Sequence, residues 1–227
     1  MIRLIEALNY RCLRYVRQPL ERFHVLVGPN ASGKTTFLDV IAFLGTMVSD
    51  GLEAAIGERT TNFQDLVWGR ESAGFELAIE ADIPEVCTTQ FDGRFDVIRY
   101  EVAIGIHPET HEVGILQERA ILKRQAPTST PPRFLFPMEY GTPSTILADH
   151  GKKGEQVVLS KAIQGNDNYY PEVRGESGGK GWIPSFRLGP RRSTLANLPE
   201  DESRFPASTW FKRFLAYGVE TFVMNSL

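Results

Sequence analysis

The chain is 227 residues long, 42% hydrophobic and 23% charged, an ordinary globular composition with enough length for one sizeable domain. Twenty-five basic residues against 28 acidic ones leave a net charge of -3, which excludes a global electrostatic footprint for nucleic acid and leaves only local basic patches open. No apolar run is long enough to span a bilayer, and MIRLIEALNYRCLRYVR has neither the h-region nor the cleavage site of a secretory signal, so no membrane association and a cytoplasmic location are expected.

In chain order, IRLIEALNY at 2–10 predicts a strand, and RFHVLV at 22–27 a second one. After the glycine-rich stretch GPNASGKTT at 28–36, Phe37, Leu38, Ile41, Ala42 and Leu44 recur at helical spacing and predict a helix over 34–47. Residues 49–70 give no clear pattern. GFELAIEADI, FDVIRYEVAIGI and GILQERAILK alternate and are separated by turn chemistry, which predicts an antiparallel meander over 74–122. QAPTSTPPR at 125–133 predicts a loop, because proline cannot continue a ladder. EQVVLSKAI, NYYPEVR and GWIPSFRLG predict further strands. Pro206 suits a first helical turn, Trp210, Phe211, Phe214, Leu215 and Tyr217 give an apolar face, and Gly218 stops that helix. VETFVMNSL then reads as a terminal strand. Cys12 and Cys87 match no metal spacing and are expected as free thiols.

Residues 28–35, GPNASGKT, fit the eight-position phosphate-loop pattern through Gly28, Gly33, Lys34 and Thr35. Glycine lets the backbone bend around a phosphate. Amides from Asn30 through Ala31, Ser32 and Gly33 to Thr35 can converge on its oxygens at the positive end of the helix. Thr36 completes the nucleotide-binding stretch. Lys34, the candidate catalytic residue, supplies a mobile charge for the β- and γ-phosphates, and the Thr35 hydroxyl is the expected Mg²⁺ ligand. The cofactors expected are therefore ATP and Mg²⁺.

The order strand, NYRCLRYVRQPLERFHVLVGPNASGKTTFLDVI, resembles the opening of the ABC-type ATPases related to the RecF, SMC and OLD proteins. Tyr10-Arg11-Cys12 occupies the family's turn and Asn30 matches its asparagine. Ala31 stands where glycine is commoner, a replacement expected to need only ordinary φ. The resemblance is specific over roughly the first fifty residues and implies an α/β P-loop NTPase: a mixed sheet around the loop joined to an antiparallel β-subdomain. It also implies that Arg11, or failing that Arg14, lies near the nucleotide.

The resemblance further implies a Walker B acid pair, a signature motif and a switch histidine. None is legible here. Glu76 interrupts FELAIEAD at 75–82, and GESGGKG at 175–181 reads as a hairpin turn because Pro184 argues against a following helix. Gln64, Gln117 and the loop at 189–195 are candidate positions for a nucleotide-sensing glutamine. His24, His107, His111 and His150 show no metal spacing and are expected to be solvated.

One incomplete ATPase domain over 1–227 is therefore expected: a core at 1–50, a β-rich part at 74–188, and a helix plus strand at 206–227 leading to a C-terminal lobe. That lobe or a second subunit would complete hydrolysis, with a homodimer of the full-length protein as the expected assembly. DNA repair, nuclease or anti-phage activity is what such an ATPase would gate. The alternatives are a self-contained P-loop kinase or GTPase, with Arg187, Arg191 and Arg192 as lid candidates, and a non-hydrolysing nucleotide-binding interaction module.

Overall fold

In the computed structural model, residues 1–91, 93–125, 141–148, 154–173, 183–220 and 222 are described. Residues 126–133 of the loop expected at 125–133, His150, the glycine-rich turn expected at 175–181 and most of the expected terminal strand lie outside them.

Strand β1 (Ile2–Tyr10) turns through Arg11 and Cys12 into β2 (Leu13–Pro19), with Tyr10 facing Leu13. Helix α1 (Lys34–Ser49) and the short α2 (Leu52–Gly57) follow. Then come β3 (Gly74–Asp82), the single turn α3 (Glu85–Thr88), β4 (Val97–Ile106) and β5 (Val113–Lys123). Strands β6 (Glu155–Ala162), β7 (Asp167–Tyr169) and β8 (Ser185–Phe186) precede α4 (Pro206–Tyr217). The strands form one eight-stranded sheet in the order β2-β1-β3-β4-β5-β6-β7-β8.

The α/β class holds, with a difference in the sheet. Every pair among the described residues is antiparallel, so the sheet is not mixed, and the expected core and β-subdomain share one continuous sheet. The difference arises at residues 22–27, which form no strand. Phe23, Val25 and Val27 are 82%, 62% and 89% exposed. Their β-rich composition needs a neighbouring strand to be realised, because a lone extended segment gains no ladder hydrogen bonds.

Period-two alternation assigns the faces. Across register, Ile5, Ile79, Tyr100 and Ala120 line up on the face that packs against α1 and α4. Tyr10, Phe43, Phe63 and Phe75 meet there, with Tyr10 and Phe75 centroids 4.9 Å apart. On α1 the buried stripe is Phe37, Val40, Phe43, Leu44, Met47 and Val48, while Leu38 is exposed. The opposite face carries charge. Arg99 pairs with Glu6, Glu80 and Glu101, and residues 145–148 lie across it, Ile146 accepting from Arg99 and Ala148 donating to Glu101. Covering by that segment explains why a polar strand face is nearly buried.

Two buried carboxylates fasten the C-terminal part. Glu118 accepts from Tyr100, Ser193 and the amides of Thr194 and Leu195, which ties the loop at 189–195 to β5. Glu172 accepts from the amides of Ala207 and Ser208 at the start of α4. The helix ends at Tyr217 with the Gly218 amide on the Phe214 carbonyl, as its sequence predicts.

Candidate functional site

The stretch 28–33 is an exposed turn leading straight into α1, whose first backbone bond runs from the Phe37 amide to the Gly33 carbonyl at 2.8 Å. Gly33 has φ of 89°, a conformation favouring glycine, and an added β-carbon would also meet the Leu13 side chain at 3.2 Å. At Gly28 a β-carbon would meet the Ser32 hydroxyl at 2.9 Å. Ala31 has φ of 62°. This corrects the expectation of ordinary backbone there: the turn needs a left-handed residue, and alanine adopts it at a cost of roughly 1–2 kcal/mol.

Helix α1 has no side-chain cap and no acid in its first turn. Among the described residues no side chain caps its leading amides, and the helix end is left to an anion or to water. Lys34 folds back over the same loop, donating to the Gly28 and Pro29 carbonyls at 2.7 and 2.6 Å and approaching the Ser32 hydroxyl at 3.3 Å. Thr35 and Asn30 are exposed. The stretch thus carries an ammonium folded over the loop, an uncapped helix start and the exposed Thr35 hydroxyl, a donor set that fits a polyphosphate with its divalent cation.

Arg11 and Cys12 reach α1 just beyond the loop from the β1–β2 turn, Cys12 at Thr36 and Arg11 at Asp39. Cys12 Sγ lies 3.2 Å from Thr36 Oγ1, and Arg11 Nη1 lies 3.1 Å from Asp39 on α1. Tyr10 donates to the same carboxylate at 2.6 Å, and Arg59 grips its other oxygen. Burial pushes the Asp39 carboxyl up, but the hydrogen bonds from Arg59 and Tyr10 and the Arg59 charge outweigh it and hold the carboxyl below its usual range. Burial first, then the Asp39 charge, pushes the Tyr10 hydroxyl well up. The sequence marks Tyr10 only as part of the turn with Arg11 and Cys12, and reveals neither Asp39 nor Arg59 as a partner. An acid one helical turn beyond Thr35 was the available signal, whereas nothing marked Arg59.

Beside the loop, an apolar groove of about 470 Å³ is lined by Lys34, Thr35, Leu38 and Ile41 of α1 and by Leu20 and Leu26.

The other candidates lie elsewhere. Arg14 stacks over Trp68 at 5.2 Å. Gln64 sits in a 3-10 turn, Phe63–Leu66, whose Leu66 carbonyl accepts the Arg11 amide at 2.8 Å; its own Oε1 is buried without a partner among the described residues. Gln117 lies within β5 between Ala103 and Ala162. Arg191 pairs with Glu53 on α2 and with Glu112 just before β5, a tie at the surface. His107 is buried, its Nδ1 accepting from the amides of Glu109 and Thr110, so the expected solvated histidine is a turn anchor. Both cysteines are free. Among the described residues no cluster of His, Cys, Asp or Glu suits a metal, and no helix is long and apolar enough to cross a membrane.

No curated protein matches the sequence. Among solved structures, one from work on the ATP-driven dimerization and DNA-stimulated activation of SMC ATPases is 20% identical, with 56% of this chain and 72% of that chain covered and a TM-score of 0.36. The family profile described as "AAA domain, putative AbiEii toxin, Type IV TA system" matches residues 23–136, half of the chain, from the segment before the phosphate loop through β5. The chain belongs to that family of AAA-type ATPase domains.

Proposed function

We propose that the chain is an ATP-binding lobe that holds ATP with Mg²⁺ on residues 28–36 and hydrolyses it only with a C-terminal lobe, in a dimer of the full-length protein. The observation that carries this reading is the convergence of Lys34 and the uncapped start of α1 on one glycine-shaped turn. The amides at the start of α1 would donate to phosphate oxygens, the Ser32 amide only on leaving the Pro29 carbonyl, and the helix dipole adds to the attraction. Lys34 would exchange the Gly28 and Pro29 carbonyls for anionic phosphate oxygens, adding charge–charge attraction to hydrogen bonds whose donor is already charged. Magnesium, held by Thr35 and the phosphates, would neutralise charge between the β- and γ-groups.

Dependence on a further lobe is supported by residues 22–27. An apolar extended segment entering the loop, exposed along one side and bordering an apolar groove, is suited to pairing with an added strand. Such a strand would hold the loop from the side opposite α1 and bring in the acids that orient the attacking water. DNA repair, nuclease or anti-phage action belongs to this proposal as what such an ATPase would gate.

The test is steady-state ATP turnover of the chain alone and with the C-terminal part of its protein supplied. Negligible turnover alone and its appearance on reconstitution support the reading. Robust turnover by the monomeric chain would instead place it among self-contained P-loop enzymes.

A further inference from the structure

Asp39 stands on α1 one turn beyond Thr35, and its carboxylate gathers three donors of different exposure. Tyr10 is fully buried and Arg59 is 9% exposed, whereas the Arg11 side chain is 39% exposed. Arg59 reaches the carboxylate through both Nε and Nη2, and has Glu58 as a second acid at 3.2 Å. Asp39 is therefore neutralised without Arg11, and two guanidiniums face one carboxylate.

Arg11 is held in a particular way. Its backbone has φ of 50° and its amide is fixed to the Leu66 carbonyl. The neighbouring Cys12 touches Thr36 and lies within 3.4 Å of where a Gly33 β-carbon would be. A left-handed non-glycine residue costs roughly 1–2 kcal/mol and persists where its surroundings fix it. A guanidinium has five N–H donors in a rigid plane, and the side chain of Arg11 places one, on Nη1, against Asp39.

We propose that Asp39 is a positioning residue for nucleotide binding: it anchors one edge of the Arg11 guanidinium so that the other edge is presented to the phosphates of a nucleotide in the loop at 28–35. The proposal rests on the nucleotide-binding reading above. It requires the planar fork, because a lysine ammonium has no second edge to present. The Tyr10 hydroxyl orients the same oxygen, Oδ2, that Arg11 uses, so it belongs to the anchor.

The experiment is a double-mutant cycle on MgATP affinity, read by displacement of a fluorescent ATP analogue from the full chain. Arg11→Ala is expected to weaken binding about tenfold in the wild type and less than about twofold in Asp39→Asn. Arg11→Lys should recover only a minor part of the loss. Tyr10→Phe, which leaves the Arg59–Asp39 pair in place, gives a second cycle in case Asp39→Asn does not fold; a coupling of about two- to threefold with Arg11→Ala is expected. An equal tenfold loss in every background, or no loss in any, overturns the proposal. A wild type that binds no nucleotide defeats the underlying reading as well, whereas binding that needs Lys34 but ignores Arg11 defeats this proposal alone.

Discussion

The carbonyl oxygen of Leu215 lies 2.8 Å from the point that a β-carbon on Gly45 would occupy, so α4 crosses the phosphate-loop helix in backbone contact. Gly45→Ala should improve α1 by up to about 1 kcal/mol in helix propensity. The clash is with backbone, which cannot swing aside, and overpacking of this kind costs roughly 1–3 kcal/mol. The clash is expected to prevail, giving a net loss of about 1–2 kcal/mol in a urea titration. A more stable Gly45→Ala variant would show that the helices slide apart freely.

The other end of α4 gives a pH dependence. Burial pushes the Glu172 carboxyl up to about 7, against the pull of hydrogen bonds from Ser208 and Ala207. The folded state then binds the proton more tightly than the unfolded chain. The stability contributed is complete below the ordinary glutamate range and is lost as pH rises toward about 7. Relative to Glu172→Gln, the wild type should lose stability between about pH 5 and 7 at up to about 1.4 kcal/mol per unit. A difference that is flat with pH refutes this.

Glu118 serves four donors with no exposure to solvent. Its replacement by alanine strands the Tyr100 and Ser193 hydroxyls and two amides, so a loss on the order of 3 kcal/mol or more is expected. Chemical denaturation measures it. A change under about 1 kcal/mol would mean that water replaces the carboxylate.

Ala31 offers a milder test. Releasing a left-handed alanine gains roughly 1–2 kcal/mol, and the greater freedom of glycine in the unfolded chain costs about 0.5–1. Ala31→Gly should therefore raise stability by about 0.5–1 kcal/mol. Destabilisation instead would mean that the loop does not hold this conformation in solution.

The elements that could be read from sequence were those whose stabilisation is local or periodic. The strands at β1 and β3–β5, the helix after Gly33 and the stop at Gly218 follow from alternation, helical spacing and chain punctuation, and the structure places them accordingly. The phosphate loop was legible because its spacing is dictated by the chemistry of phosphate binding. Residues 22–27 have strand composition without a strand partner among the described residues, and composition alone cannot supply one. Tyr10, Asp39 and Arg59 come together only through the crossing of α1 over the β1–β2 turn, a long-range event. The Glu118 and Glu172 clamps are hidden for the same reason, since their partners lie 18–77 and 35–36 residues away.

The most direct measurement is calorimetric titration of the chain with ATP in the presence of Mg²⁺, beside the Lys34→Ala variant. The account predicts saturable binding by the wild type and an affinity lower by about tenfold to a hundredfold in the variant, the loss of two or more charge-assisted contacts tempered by the remaining amides. Equal affinity in both proteins, or no binding by the wild type, would contradict it.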